Sequence, residues 1–532
     1  MAFPLRRFAF IFSIMLLLAL GPGPPSAFPQ GAESAESWFK RGFAQQRKLQ
    51  TLEALASYRK ALAIDPAYGQ AHYEIGWSYW SLGRWSDVVR HFELARKYKA
   101  AAPDLPRYLT AARERVKEGG RKAVRVPIGI KASGGGKGLV LVARFQNYNG
   151  KPKHPADRWE RFVHSPKSVQ ISPDGARVFV QMLEGGNTVI FDGKKLLRLK
   201  VVSHRFGGKQ AGLFNRAETR AYARRFKAAG GPRAFNRYLG KPVEGAFSHG
   251  GRFLWVTHYR RSFDRNGVMP SSVAIIDTKT EAIVRVMHTG PIPKFLAASP
   301  DGRLMAVVHW GGNTVGLIDV SSPRPEGFRH AGEIVVGRRP RLDYDEQVNR
   351  DHVCGFCLRG AVFTRDSRHL LVARMGGGGI AVLDVKAKRH LGTVFGMKPT
   401  PRHLILGPKD ERVYLSSNRA GYVSAYRIAD LLSAAKRKKR KLRPLLEKRV
   451  GPSIRTIAIS PDGETLYATS FRGSKVIALR AKSLEKLFEI PADSYPVGIA
   501  VSPDGNHLWV TSQGYRLRGG NSVMVYKVLN KD

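Results

Sequence analysis

Cysteine is nearly absent from this 532-residue chain, with only Cys354 and Cys357, separated by Gly355-Phe356. Two cysteines exclude a disulfide-rich scaffold and a zinc module with two cysteine ligand pairs. Acidic residues are scarce, 41 Asp plus Glu against 89 Lys plus Arg, for a formal charge of +48. Beyond the N-terminus there is no apolar run of bilayer-spanning length. The chain also lacks a nucleophile elbow, a phosphate-cradling Gly-rich loop and metal-ligand spacing. Covalent haem attachment is excluded as well, because Leu358 stands where the motif requires His. These absences leave no catalytic residues, metal or cofactor to assign, and the expectation is a protein that is not an enzyme.

What is present begins with Arg6-Arg7, an apolar stretch from Phe8 to Leu20 and a Gly/Pro segment ending Pro25-Ser26-Ala27. A positive start, a short apolar middle and a small residue at the end read as a secretory signal over residues 1–27, with an uncleaved anchor as the alternative. Export to the periplasm, the medium or the cell surface follows. In that setting Cys354 and Cys357 read as a local disulfide, since no βαβ context supports a thioredoxin-type motif.

A β-rich phrase then recurs seven times. Its clearest copies share Ser-Pro-Asp-Gly, at Ser172 to Gly175, Ser299 to Gly302, Ser460 to Gly463 and Ser502 to Gly505. Degenerate copies stand at Ser248 to Gly251, Thr364 to Ser367 and Gly407 to Asp410. Each turn has an apolar strand before it and another after it, as in Phe295 to Ala298 and Leu304 to Val308. Pro presets φ, Asp caps the turn locally and Gly takes positive φ. Four-strand units repeating about every 40–50 residues define a β-propeller, and seven units define a seven-bladed one. The fold class is mainly β with an α-helical N-terminal part. The expected domains are residues 35–119 helical, a Gly-rich linker at 120–137 and the propeller at 138–532. Gly138 to Phe145 reads as a strand that completes the last blade and closes the ring. Two insertions break the rhythm: residues 209–230, helical and basic, and 429–449, in which Lys436 to Arg443 holds seven basic residues in eight.

The helical part resembles the tetratricopeptide (TPR) repeat. Trp38, Gly42, Ala54, Tyr58, Ala61 and Pro66 match one copy, and Ile75, Gly76, Tyr79, Phe92 and Ala95 the next, while Gln45 and Val88 depart from the pattern. The resemblance implies a short α-solenoid with a capping helix from Leu105 to Val116, and protein–protein interaction as its role. Its groove positions map to Phe39, Phe43, Tyr73, Trp77 and Trp80. These make either an aromatic groove for an extended peptide or rings packed against the cap helix or the propeller.

Aligning the blades exposes a second regularity. At one equivalent position, five residues before each turn, stand Lys167, Val243, Lys294, Arg359, Arg402, Arg455 and Val497. A propeller gathers these five cations at the mouth of its central channel. At about 10 Å separation and an effective dielectric near 40, each pair repels by roughly 0.8 kcal/mol. The arrangement therefore needs an entering anion, or pairing with loop acids such as Asp343, Asp345, Glu346 and Asp351. Loops expected on the same face carry His258 to Arg261, His309-Trp310, Arg374, Asn418-Arg419, Phe471-Arg472 and Tyr515-Arg516. With His403 beside Arg402, the candidate ligand set is Lys167, Lys294, Arg359, Arg402, Arg455, His403, His258 and His309.

Over residues 138–530 the repeats resemble the YVTN-type seven-bladed propellers, carried most closely by Ser272 to Thr278, Val284 to Gly290 and Pro293 to Gly302. Pro401-Arg402-His403-Leu404 is similar to a phrase of lactonase-type propellers. Three functions follow as expectations. The first is an exported binding or scaffold protein, with a TPR arm for a protein partner and a basic face for an anionic ligand. The second is a lactonase-like hydrolase using Arg402, His403 and Arg359. The third is a binder of nucleic acid or another polyanion, such as an acidic polysaccharide or lipopolysaccharide.

Overall fold

The structure is a computed structural model. It describes residues 33–47, 51–81, 84–103, 105–120, 123–225, 231–264, 267–339, 350–351, 354–407, 412–437, 441–515 and 518–530. The signal-like segment, the loop acids Asp343, Asp345 and Glu346, Pro408 to Asp410 and Arg516 lie outside the described residues. The chain divides into two compact units, one spanning 3–122 with 342–353, the other 123–341 with 354–532.

The first unit is helical: α1 (Ala35–Arg47), α2 (Thr51–Ile64), α3 (Gly69–Ser81), α4 (Trp85–Lys97) and α5 (Leu105–Gly120). Glycine permits close approach within each helix pair. A Cβ on Gly42 would stand 2.7 Å from the Tyr58 ring, and one on Gly76 2.4 Å from the Phe92 ring. Helix α5 caps the array through Tyr108, whose ring meets Trp77 at 4.6 Å and Trp80 at 5.9 Å. The groove expectation is corrected accordingly. Tyr73, Trp77 and Trp80 are buried in the core of this unit, and only Phe39 and Phe43 remain half-buried. Burying these rings contributes more than exposing them for a peptide, because each removes a large apolar area from water.

The second unit is a seven-bladed propeller. Four blades after the first two have the simple antiparallel order expected, for example Pro293–Ala298, Leu304–His309, Thr314–Asp319 and Arg329–Val335 in blade 3. Blade 1 (Pro166–Ile171 to Arg198–Ser203) has the same order, and blade 2 adds the short strand Arg205–Phe206 beside its long innermost strand Tyr238–Ser248. Each innermost strand packs on the next around the ring, and Pro496–Val501 of blade 7 returns to Pro166–Ile171 of blade 1. The Ser-Pro-Asp-Gly turns work as their chemistry dictates. In blade 3, Ser299 Oγ donates to Asp301 Oδ1 at 2.5 Å and accepts the Leu304 N–H at 2.9 Å, while Gly302 takes φ +72°.

Ring closure uses the N-terminal strand, Lys137–Gln146, paired antiparallel with Arg518–Asn530. The stretch expected as a linker contributes further: Lys131–Gly134 forms the outermost strand of blade 7, and Val126 is buried beneath it. Propeller structure thus begins at residue 123, not 138. The seam is both apolar and ionic. Phe145 stacks on Phe191 at 4.5 Å and on Trp509 at 6.3 Å. Arg144 pairs with Asp157 and, at 3.3 Å, with Asp493, which also accepts the Val126 N–H at 2.9 Å. A chain beginning at residue 147 is expected to aggregate in size-exclusion chromatography, because it uncovers the long edge of Arg518–Asn530 and leaves Asp493 without Arg144. One beginning at 123 keeps both contacts and should elute as a compact species.

The described parts of the insertions carry helices: Arg216–Arg225 in the first, with Gly231–Phe235 after it, and Ile428–Ala435 at the second, followed by the blade 5 edge strand Leu446–Arg449.

Candidate functional site

The five cations occupy a β-bulge. In each blade the pairing of the innermost strand with the next is interrupted where the aligned residue sits: between Pro166 and Val169, Pro293 and Phe295, Leu358 and Ala361, Pro401 and His403, and Ile454 and Ile457. Those gaps contain Lys167, Lys294, Arg359, Arg402 and Arg455. A bulge releases a residue from the ladder and turns its side chain. Two residues earlier in the chain, Ser165, Ile292, Cys357, Thr400 and Ser453 all have positive φ, between 49° and 62°. Non-glycine residues pay about 1–2 kcal/mol for that conformation, and the ring repeats it at each cation.

The five side chains share one electrostatic environment. Arg359 and Arg402 are 4% and 5% exposed, whereas Lys167, Lys294 and Arg455 are half-buried. Burial, then Arg455, Arg359 and Arg402, pushes Lys167 well below the usual lysine range. Burial, then Arg359, Lys167 and Arg402, does the same to Lys294. Burial with Arg455 and Arg359 pushes Arg402 down too.

Among the described residues, Glu244 is a carboxylate that acts on Arg359, Lys167 and Arg402. It accepts from Arg359 Nη2 at 2.8 Å, linking blade 4 to blade 2. Glu244 follows Val243 and shares the blade 2 bulge, which lies between Pro242 and Gly245. The sequence signal was an acid one position beyond the aligned column.

Aromatic and polar groups complete the mouth. Lys294 Nζ sits 3.9 Å from the Trp310 ring and 4.9 Å from Tyr259, and Arg455 lies 4.1 Å from Phe471. Lys167 Nζ donates to Gln513 Oε1 at 3.1 Å, and Arg402 Nη1 approaches Met375 Sδ at 3.6 Å. Arg374 covers Phe356 at 3.8 Å. Phe356 lies between Cys354 and Cys357, which form a disulfide packed against Ile292 and Trp310. His403 is deeper. Its ring meets Phe295 edge-on at 5.5 Å, and burial together with Arg402 and Arg359 pushes it down to about 3. It is therefore neutral at pH 7 and adds no charge to the ring.

Two histidines assigned to the mouth are elsewhere. His258 and His309 are buried in second strands, Phe253–Arg261 and Leu304–His309, 0% and 1% exposed. His309 bonds Thr289 at 2.6 Å and Thr314 at 2.8 Å. His258 bonds Ser272 at 2.8 Å and His204 at 2.9 Å. Their hydrogen bonds tie strands together within and between blades, and both rings are closed to a ligand. No cluster of three or more metal-ligating side chains occurs among the described residues.

A closed seven-bladed ring with a cation-lined channel defines the class of protein. The chain belongs to the family described as "Lactonase, 7-bladed beta-propeller", whose model matches residues 246–513, half of the sequence. A TPR repeat model matches residues 50–83. Antigen Lp49 of Leptospira interrogans is 23% identical over 283 residues, which cover 48% of this chain and 52% of that protein. The chain thus spans about half the length of the curated relative it matches. Among solved structures, Kuenenia stuttgartiensis hydrazine synthase is similar at 15% identity and a TM-score of 0.48, over 72% of this chain and 100% of that one. The Cps50 (Swd1) β-propeller domain of Myceliophteria thermophila is similar at 12% identity and a TM-score of 0.48, over 69% and 97%.

Proposed function

We propose that this is an exported, non-enzymatic binding protein whose channel mouth takes a compact multivalent anion and whose TPR unit contacts a partner protein. The observation that carries the reading is the mutual convergence of Lys167, Lys294, Arg359, Arg402 and Arg455, with Glu244 bonded to Arg359 among them. Like charges gathered at one mouth repel, and burial raises that cost. An entering polyanion offsets the repulsion and gains charge-assisted hydrogen bonds from the guanidinium groups. Isothermal titration with pyrophosphate tests this directly, and absence of heat at millimolar concentration would remove the reading.

Glu244→Gln sharpens the test. Removing the carboxylate takes away a competitor for Arg359 and a repulsion toward the ligand, so affinity for pyrophosphate is expected to rise about tenfold. A fall would mean that Glu244 holds Arg359 in the binding geometry.

The family match and the Arg359–Glu244 pair favour one second reading, a lactonase-like hydrolase with Glu244 as the missing base. Glu244 is already held by Arg359 at 2.8 Å, which counts against its reaching a substrate proton. Incubation with a panel of small lactones separates the two: turnover above buffer that is lost in Glu244→Gln would establish the hydrolase.

A further inference from the structure

We infer that the helical insertion of blade 2 is a docking surface for an anionic lipid layer, separate from the channel. Residues 205–237 contain one carboxylate, Glu218, among many basic residues. Lys209, Arg216, Arg220, Arg224, Arg233 and Arg237 are all exposed. Three of them, Arg216, Arg220 and Arg224, recur every four residues along the helix Arg216–Arg225, so they form one stripe. Thr219 and Ala223 on the neighbouring stripe are buried and anchor the helix to the blade. Like charges at this spacing destabilise a helix, which makes the stripe costly unless it meets an external anion. Glu218 cannot neutralise it. That carboxylate accepts the His288 N–H at 2.8 Å and contacts His330 at 3.0 Å.

The second observation is Phe263, an exposed large apolar side chain at 45%. It belongs to the loop after Phe253–Arg261, and Arg261 ties that loop to the insertion by donating to the Phe235 carbonyl and covering the Phe235 ring at 3.8 Å. Ser262 accepts the Leu239 N–H at 2.9 Å. The loop of Phe263 is therefore joined to the end of the insertion that carries the cations, at Phe235 and Leu239. Cations spread over two helices, with an aromatic ring on the loop joined to them, fit a planar layer of anionic headgroups above an apolar interior. A nucleic-acid strand would use the cations and leave the isolated Phe without a role.

The test is co-flotation of the full chain with vesicles of mixed phosphatidylglycerol and phosphatidylcholine, against phosphatidylcholine alone. Each basic residue near an anionic leaflet contributes about a fivefold gain in binding. Arg216→Gln with Arg220→Gln and Arg224→Gln should thus weaken attachment to the mixed vesicles about 100-fold. An equal charge change at the other end of the blades, Lys194→Gln with Lys195→Gln and Lys482→Gln, should leave attachment within a few-fold of wild type. Phe263→Ser should weaken vesicle attachment at high salt, where the charges are screened. Equal loss in both triple variants would reduce the effect to net charge and overturn the proposal. Attachment that persists in the stripe variant would overturn it too. So would tighter binding to a single-stranded oligonucleotide than to the vesicles, with the same dependence on the stripe. None of these outcomes bears on pyrophosphate binding at the channel.

Discussion

Replacing Arg359, Arg402 and Arg455 together with Gln is expected to weaken pyrophosphate binding by at least about 1,000-fold, since each charge-assisted hydrogen bond contributes ~1.5–3 kcal/mol. The fold should survive. The three substitutions remove mutual repulsion along with binding, so the melting temperature without ligand should stay level or rise. Wild type, by contrast, should be stabilised by the anion, by about 2.7 kcal/mol at a hundredfold excess over Kd. Binding should also draw protons. Lys167 and Lys294 are pushed well below the usual lysine range by burial and by the arginines around them. A bound anion favours their charged forms, so protonation accompanies binding and affinity falls as pH rises toward the ordinary lysine range. Titrations in buffers of different ionisation enthalpy measure that uptake. Unaltered affinity in the triple variant, with its fold intact, would show that the ring is no binding site.

The ring was legible because a propeller converts phase along the chain into position around an axis. Four full turn motifs set the phase, and the cations fell at one column of it. Glu244 was not legible by the same logic, because it reaches the ring through a bulge that displaces it one residue from the column. His258 and His309 were misplaced for a related reason. Each belongs to a second strand, Phe253–Arg261 or Leu304–His309, that runs further than the turn phase alone shows. In the helical unit the TPR pattern identified Gly42, Gly76, Tyr58 and Phe92 as the packing seam, which the helix pairs display. It could not show that α5 would lay Tyr108 over Trp77 and Trp80, since coverage of a groove depends on the helix that follows and not on the repeat. The linker reading failed because Gly134, Gly135 and Gly136 signal flexibility, whereas here they turn the chain between two paired strands.

Acid should unfold this propeller well before its carboxylates are protonated. Four histidines, His204, His258, His288 and His309, are buried inside blades, and burial holds all four below the usual imidazole range: His204 at about 3, His309 at about 4. The groups facing them offer little relief. His258 meets His204 and Arg261, and His288 meets Arg261 and His330, all of which disfavour a further positive charge. Glu333, 3.7 Å from His309, is the exception. In the unfolded chain these rings take up protons near pH 6.5, while the folded chain keeps them neutral. The unfolded state thus binds more protons below that pH. Stability is fully present above about pH 6.5 and is lost as pH falls toward the folded values near 4 and 3. Each ring contributes about 1.4 kcal/mol per pH unit in that window, and the four together about 6 kcal/mol per pH unit. Between pH 7 and pH 5 this exceeds half the stability of a typical domain. Thermal melts across that range should therefore show a steep fall, and His309→Gln, which keeps polar contact with Thr289 and Thr314 but does not titrate, should flatten it by about a quarter. A melting temperature level down to pH 5 would mean that the rings are solvated or already charged in the native protein.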